Sequence, residues 1–189
     1  MIPVALDPKY LRLGLVGSGQ LAARRLAGLR AAGASVEVFS PHAEGELFAA
    51  APDLQLGLPD AAALGALNVL WVVGLEADAA AALAAEARRL RVIVNVEDLP
   101  ALCDFHSVAE VRRGDLLLTI STNGAAPGLA GSIRRNIERC FGPEWDARVR
   151  EVAELRAGWR AEGLPMAESA KRIDKLVNER TWLSCPRGA

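Results

Sequence analysis

Three segments of this chain carry residue types whose spacing suits chemistry. The first is Val16-Gly17-Ser18-Gly19-Gln20-Leu21-Ala22, which has the pattern G-x-G-x-x-A. In that pattern the first glycine permits a tight turn and the second lets a pyrophosphate approach the backbone. The small third residue lets a helix pack closely on a strand. The helix that starts there offers free N–H groups and a positive dipole end to phosphate. Gly17, Ser18 and Gly19 therefore read as the phosphate side of a nucleotide site. The second segment, Asn95-Val96-Glu97-Asp98-Leu99-Pro100, places a carboxylate just after an apolar run. Asp98 either caps a turn ahead of Pro100 or stands where it can move a proton. The third, Ser121-Thr122-Asn123-Gly124-Ala125-Ala126-Pro127, precedes a helical stretch carrying Arg134 and Arg135. It either faces an anionic ligand or simply feeds a capped helix.

The elements needed to position these segments follow from the hydrophobic pattern. Leu11–Val16 is a short apolar run that suits a buried strand. A helix over 20–32 follows, with Leu21, Ala22, Leu26 and Leu29 on one face and Gly33 ending it. Ser35–Ser40 alternates as a second strand, completing a βαβ start. Leu54–Leu58, Val69–Gly74 and Val92–Asn95 read as further strands, with an alanine-rich helix over 77–90. Such alternation predicts a parallel sheet with helices on its faces. In these sheets ligands lie beyond the carboxyl ends of the strands, which is where all of Gly17–Gly19 and Asp98 fall.

After Pro100 the pattern changes. Residues 101–115 read as loop and short elements, Asp115–Ser121 as a strand, 128–140 as a helix, and 146–162 and 166–183 as two amphipathic helices. The predicted fold class is α/β, an N-terminal Rossmann-type parallel sheet followed by a small α+β region and a C-terminal helical domain.

At the end of the second strand, where an acid often holds the ribose hydroxyls of NAD, this chain has Phe39-Ser40-Pro41-His42. Glu37 comes too early in the strand for that task. Ser40, or the backbone of Pro41 and His42, is the expected ribose-side contact. No arginine stands there to favour a 2′-phosphate, so NAD is preferred over NADP.

Composition narrows the function classes. The chain has 189 residues, a formal net charge of -1 and 51% hydrophobic residues, enough for a real core. Neither half is basic enough for a nucleic-acid surface. No apolar stretch is long and clean enough for a membrane span, and no secretory signal is expected at the N-terminus, so the cytoplasm is the expected location. Cys103, Cys140 and Cys185 are far apart, odd in number and lack a CxxC pair, which argues against a disulfide framework and a zinc site. His42 and His106 have no partners at ligand spacing, so no structural metal is expected.

Taken in order, LGLVGSGQLAARRLAGLRAAGASVEVFSP, VIVNVEDLPALCDF and RRGDLLLTISTNGAAPGLAGSIRRNIE resemble the precorrin-2 dehydrogenase / sirohydrochlorin ferrochelatase family, the N-terminal module of siroheme synthases. The resemblance covers most of residues 8–140, and ELRAGWRAEG with RIDKLVNE is similar to the family's helical end domain. It implies an NAD-binding Rossmann domain over 1–110, a dimerisation region over 111–144 and a helical domain over 145–189. It further implies an interlocked homodimer with a tetrapyrrole bound in the cleft between regions. The implied activity is NAD-dependent oxidation of precorrin-2 to sirohydrochlorin, with insertion of ferrous or cobaltous ion as a second activity in some members. By position, Asp98 matches the family aspartate implicated in both reactions. Gln20 and Leu21 match the phosphate-side contact, and Pro41 and His42 the ribose-side contact. Thr122 falls where some relatives carry a phosphorylatable serine. Thr122, Asn123, Gly124 and Arg134 are the expected substrate contacts, and Arg112, Arg113 and Arg135 are further partners for a polycarboxylate. Leu99 stands where many relatives have a second aspartate, and Asn123-Gly124 where many have Gly-Gly. At 189 residues the chain is expected to lack the methyltransferase module of some siroheme synthases. Two other classes fit the same residues: a non-catalytic NAD-binding regulator, and a chelatase without efficient dehydrogenase activity.

Overall fold

A computed structural model describes residues 2–185. The chain divides after Ser107 into two compact units. In the first, β1 (Leu13–Gly17), α1 (Gly19–Ala31), β2 (Val36–Ser40), α2 (Gly45–Ala50), β3 (Gln55–Leu56), α3 (Ala61–Gly65), β4 (Val69–Val73), α4 (Ala77–Arg89) and β5 (Ile93–Val96) succeed one another. The sheet is parallel throughout, in the order β3-β2-β1-β4-β5. The Rossmann-type sheet expected from the alternation is therefore present. Helices α2 and α3 were not expected, because each is a short segment of five or six residues without a sustained period.

All five residues of β1 and of β4 are buried, as in a sheet covered on both faces. Alternate residues face opposite layers. Leu13, Leu15, Val69, Trp71 and Val73 pack with Ala22 and Leu26 of α1 and Leu47 of α2. Val16, Leu70, Val72, Val94 and Val96 pack with Leu64 of α3 and Ala80, Leu83, Ala84 and Ala87 of α4. The i, i+3, i+4, i+7 spacing of those four α4 residues is the stripe of an amphipathic helix. Leu26 is 1% exposed, so Leu26→Ala would cost about 2–5 kcal/mol. Leu21 departs from the expected inward face of α1 and is 50% exposed.

Strand β5 lies at the edge of the sheet, and the segment after it closes that edge. Asp104 donates its N–H to the Val94 carbonyl (2.7 Å) and accepts the Val94 N–H on Oδ2 (3.0 Å), while Arg88 binds its other oxygen (2.7 Å). Cys103 Sγ accepts the Val96 N–H (3.3 Å) and donates to the Val96 carbonyl (3.1 Å). Backbone groups that would otherwise template another strand are thereby satisfied.

In the second unit β6 (Ala109–Arg113) and β7 (Leu116–Ile120) form an antiparallel hairpin, followed by α5 (Pro127–Cys140), α6 (Trp145–Ala161) and α7 (Met166–Glu179). Strand β6 is one of the short elements expected within 101–115, and its mixed sequence AEVRR buries only Val111. Helix α7 ends before the expected Leu183. The described residues also contain a disulfide, Cys140–Cys185, with Cα atoms 4.7 Å apart. This overturns the argument from cysteine spacing, because proximity of the end of α5 to the chain beyond α7 is a tertiary property. Beside the disulfide, Phe141, Trp145 and Trp182 cluster, with the Arg148 guanidinium 5.0 Å and 5.3 Å from the two indole centroids. No helix among the described residues is long and apolar enough to cross a membrane.

Candidate functional site

The carboxyl edge of the sheet gathers the residues singled out in the first unit. The chain leaves β1 through Gly17, turns at Ser18 and enters α1 at Gly19. Gly17 has no room for a side chain, because a Cβ there would lie 2.1 Å from the Val73 carbonyl oxygen. Ser18 ties the turn to the end of β4. Its N–H donates to the Val73 carbonyl (3.2 Å) and its hydroxyl to that of Gly74 (3.2 Å). Gly19 adopts φ +69°, and the space where its Cβ would sit is open to 4 Å. That is a glycine cradle for a phosphate: a left-handed backbone with free approach, at the N-terminus of a thirteen-residue helix. No side chain caps that N-terminus, and Gln20 and Leu21 are exposed beside it. Gly74, at φ +70°, packs against the Ser18 carbonyl and is a further glycine of the turn that the pattern search passed over. Its signal was the glycine directly after the apolar run of β4.

At the end of β2, Ser40 is 1% exposed and its Oγ accepts the His42 N–H (3.2 Å). Ser40 thus shapes the bend, and Pro41 and His42 are the exposed residues there. Glu37 pairs with Arg12 at 3.0 Å, in keeping with its reading as too early in the strand.

Asp98 lies just beyond β5, exposed and at φ +64°, a left-handed conformation that aspartate tolerates better than most residues. Among the described residues its carboxylate accepts no hydrogen bond. Glu97 is different. Both its oxygens are held by Arg25 of α1, with contacts of 3.0–3.2 Å, each side chain being a little over a quarter exposed. Sequence reading missed this pair, although alternation from Val96, which faces α4, already turns Glu97 towards α1. Of two adjacent acids, one is committed to structure and the other is presented to solvent.

In the second unit, Thr122 Oγ1 accepts the Ala126 N–H (3.2 Å) and Ser121 Oγ the Asn123 N–H (3.2 Å). Asn123 (φ +55°) and Gly124 (φ +76°) both turn left-handed, so the loop is ordered by its own side chains. The arginines are unequal. Arg134 pairs with Glu138 one turn on. Arg113 binds the Phe141 carbonyl (2.9 Å), and Arg112 lies 3.6 Å from Glu110. Arg135 is exposed and has no ion-pair partner among the described residues.

Comparison with known proteins places this geometry. Residues 4–109 match the family described as "Putative NAD(P)-binding", and residues 113–139 match "Sirohaem biosynthesis protein central". A protein named siroheme synthase from Methylococcus capsulatus is 35% identical over 159 residues, covering 82% of this chain and 34% of that protein. Another so named, from Chromobacterium violaceum, is 32% identical over 181 residues, covering 94% and 38%. The chain thus spans about a third of the length of these relatives. A solved structure named SirC, precorrin-2 dehydrogenase, superposes with a TM-score of 0.73 at 22% identity, covering 97% of this chain and 93% of that one. That likeness shows a shared fold.

Proposed function

The chain belongs to the NAD(P)-binding family found in siroheme synthases, and from that membership we propose that it oxidises precorrin-2 to sirohydrochlorin with NAD as hydride acceptor. One observation carries the reading. The glycine cradle and Asp98 stand at the carboxyl ends of β1 and β5, with only β4 between those strands. A cofactor site and an unengaged carboxylate therefore share one edge, where open α/β sheets bind their ligands. Relatives of this chain are named siroheme synthases, and a protein of the same fold is named a precorrin-2 dehydrogenase.

In this reading Gly17, Ser18 and Gly19, with the N–H groups of Gln20 and Leu21, hold the pyrophosphate. Pro41 and His42 meet the adenosine ribose, and Ser40 fixes the His42 backbone. Bound there, NAD supplies the acceptor for hydride. Dehydrogenation also releases a proton, and the exposed carboxylate of Asp98 takes it. In the second unit, Thr122, Asn123 and Gly124 contact the tetrapyrrole, and Arg134 meets a substrate carboxylate by exchanging Glu138 for it. Arg135 serves the same acids without such an exchange.

The division into 1–110, 111–144 and 145–189, a homodimer and a cytoplasmic location complete the proposal. Ferrous or cobaltous ion is a second substrate, for whose insertion Asp98 accepts pyrrole protons. The test is an anaerobic assay of the purified chain with precorrin-2 and NAD, following the tetrapyrrole spectrum and NADH. One NADH per sirohydrochlorin, lost in Asp98→Ala, is expected. Intact NAD binding without turnover would favour the regulator. Metal insertion without NAD binding would favour a chelatase.

A further inference from the structure

We infer that Arg25 and Glu97 are positioning residues for Asp98, an assignment that rests on Asp98 being the proton acceptor. Among the described residues Asp98 has no hydrogen bond of its own to orient it, and it occupies a left-handed backbone conformation. Its orientation is therefore set by the residues on either side. Leu99 is packed into the apolar layer on the α4 side, and its N–H donates to the Val96 carbonyl (3.3 Å). Glu97 donates its N–H to the Val72 carbonyl (2.9 Å), and its side chain is gripped through two oxygens by Arg25. A fork of guanidinium donors on a carboxylate fixes both direction and distance, which one point charge would not.

Arg25 stands six residues into the helix whose N-terminus forms the phosphate cradle. The pair thus joins that helix to the turn bearing Asp98, past the intervening β4. Neither residue reaches the reacting atoms in this reading. Each acts by keeping the Asp98 carboxylate in register with a substrate placed against the cofactor, and a misplacement of about 1 Å costs on the order of a hundredfold in rate.

The experiment measures steady-state oxidation of precorrin-2, NAD affinity and thermal unfolding on the full chain. Glu97→Gln and Arg25→Met are expected to lower kcat about ten- to hundredfold with KM for NAD within about twofold of wild type. The charge-swapped double variant, R25E with E97R, should recover most of the loss. Glu97→Asp keeps the charge but shortens the reach, and should fold and fall between wild type and Glu97→Gln. An inactive Asp98→Asn beside a fully active Glu97→Gln would overturn the positioning role and leave the reading of Asp98 intact. An active Asp98→Asn would overturn that reading, and this inference with it. Loss of kcat and NAD affinity in parallel, without recovery in the swap, would reduce the pair to a structural brace and also overturn it.

Discussion

Arg25 and Glu97, 72 residues apart in the chain, meet through the Nε–Nη2 edge of the guanidinium and both carboxylate oxygens at 3.0–3.2 Å, so the helix after β1 is fastened to the turn after β5. Each side chain is a little over a quarter exposed. Removing one partner leaves a half-desolvated charge, so Arg25→Met should cost about 1 kcal/mol of stability. Chemical denaturation of the single and double variants, read as a thermodynamic cycle, measures the coupling. A coupling near zero would mean that the pair is dispensable to the fold.

The two glycines of the cradle should respond differently to alanine. At Gly17 the new methyl would meet the Val73 carbonyl oxygen at 2.1 Å. Backbone must then move, at a cost of about 1–3 kcal/mol or more. At Gly19 the methyl meets nothing within 4 Å, but φ is +69°. Holding alanine there costs about 1–2 kcal/mol. Gly19→Ala should therefore fold yet bind NAD more weakly, because its methyl projects into the approach to the backbone. Thermal melts and calorimetric titration of NAD separate the two effects. Unchanged NAD affinity in Gly19→Ala would remove that residue from the cradle.

Asp98→Gly should stabilise the protein while abolishing turnover. Glycine adopts φ +64° without the steric cost that aspartate bears, and the carboxylate gives up no hydrogen bond within the described residues. A gain of about 0.5–1 kcal/mol is expected, and an inactive, more stable variant marks a residue kept for chemistry. A destabilised Asp98→Gly would instead show the carboxylate bracing the turn, as the capping interpretation holds.

The sheet was legible because its two central strands, β1 and β4, are short runs without a polar side chain. Val69–Val73 and Leu13–Gly17 leave little choice but burial on both faces. Likewise, G-x-G-x-x-A needs only local geometry, so Gly17, Ser18 and Gly19 stand where their spacing puts them. The resemblance to the siroheme-synthase family reached further than periodicity did, since nothing local separates a proton-transfer Asp98 from a turn cap. What stayed hidden is each side chain's choice of partner, whether distant in sequence or within one turn. Arg25 finds Glu97, Cys140 finds Cys185, Arg134 spends its charge on Glu138, and Ser40 turns inward to His42. The short elements expected over 101–115 could not be identified as strand β6 because a strand with a single buried residue carries almost no alternation.

At the C-terminal end of α4, Arg89 holds the Glu86 carboxyl below its usual value of 4.5, first by hydrogen bonding and then by charge. A carboxyl depressed in the folded state binds protons less readily there than in the unfolded chain. Its contribution to stability is present above 4.5 and lost as pH falls through the lower folded value. The pair is solvent-exposed, so its signature belongs to titration rather than to melting. A carbon-detected NMR titration should give Glu86 a midpoint below 4.5, returning to the usual range in Arg89→Gln. The same midpoint in both proteins would mean that the pair does not form in solution.

The disulfide closes a span of 45 residues from the end of α5 to the chain beyond α7. By chain entropy such a closure is worth up to about 4 kcal/mol to the unit that contains it. Trp145 and Trp182 are buried beside it, stacked about Arg148. A reducing compartment would keep both thiols free, so the reduced form is the state to compare. Reduction, or Cys140→Ser with Cys185→Ser, should lower the melting temperature of the second unit and shift tryptophan emission to the red as the indoles meet water. NAD binding by the first unit should be unchanged, because the cradle and Asp98 belong to a sheet that neither cysteine enters. Identical melting and emission in the oxidised and reduced protein would show that the aromatic cluster holds the C-terminal segment without the covalent link.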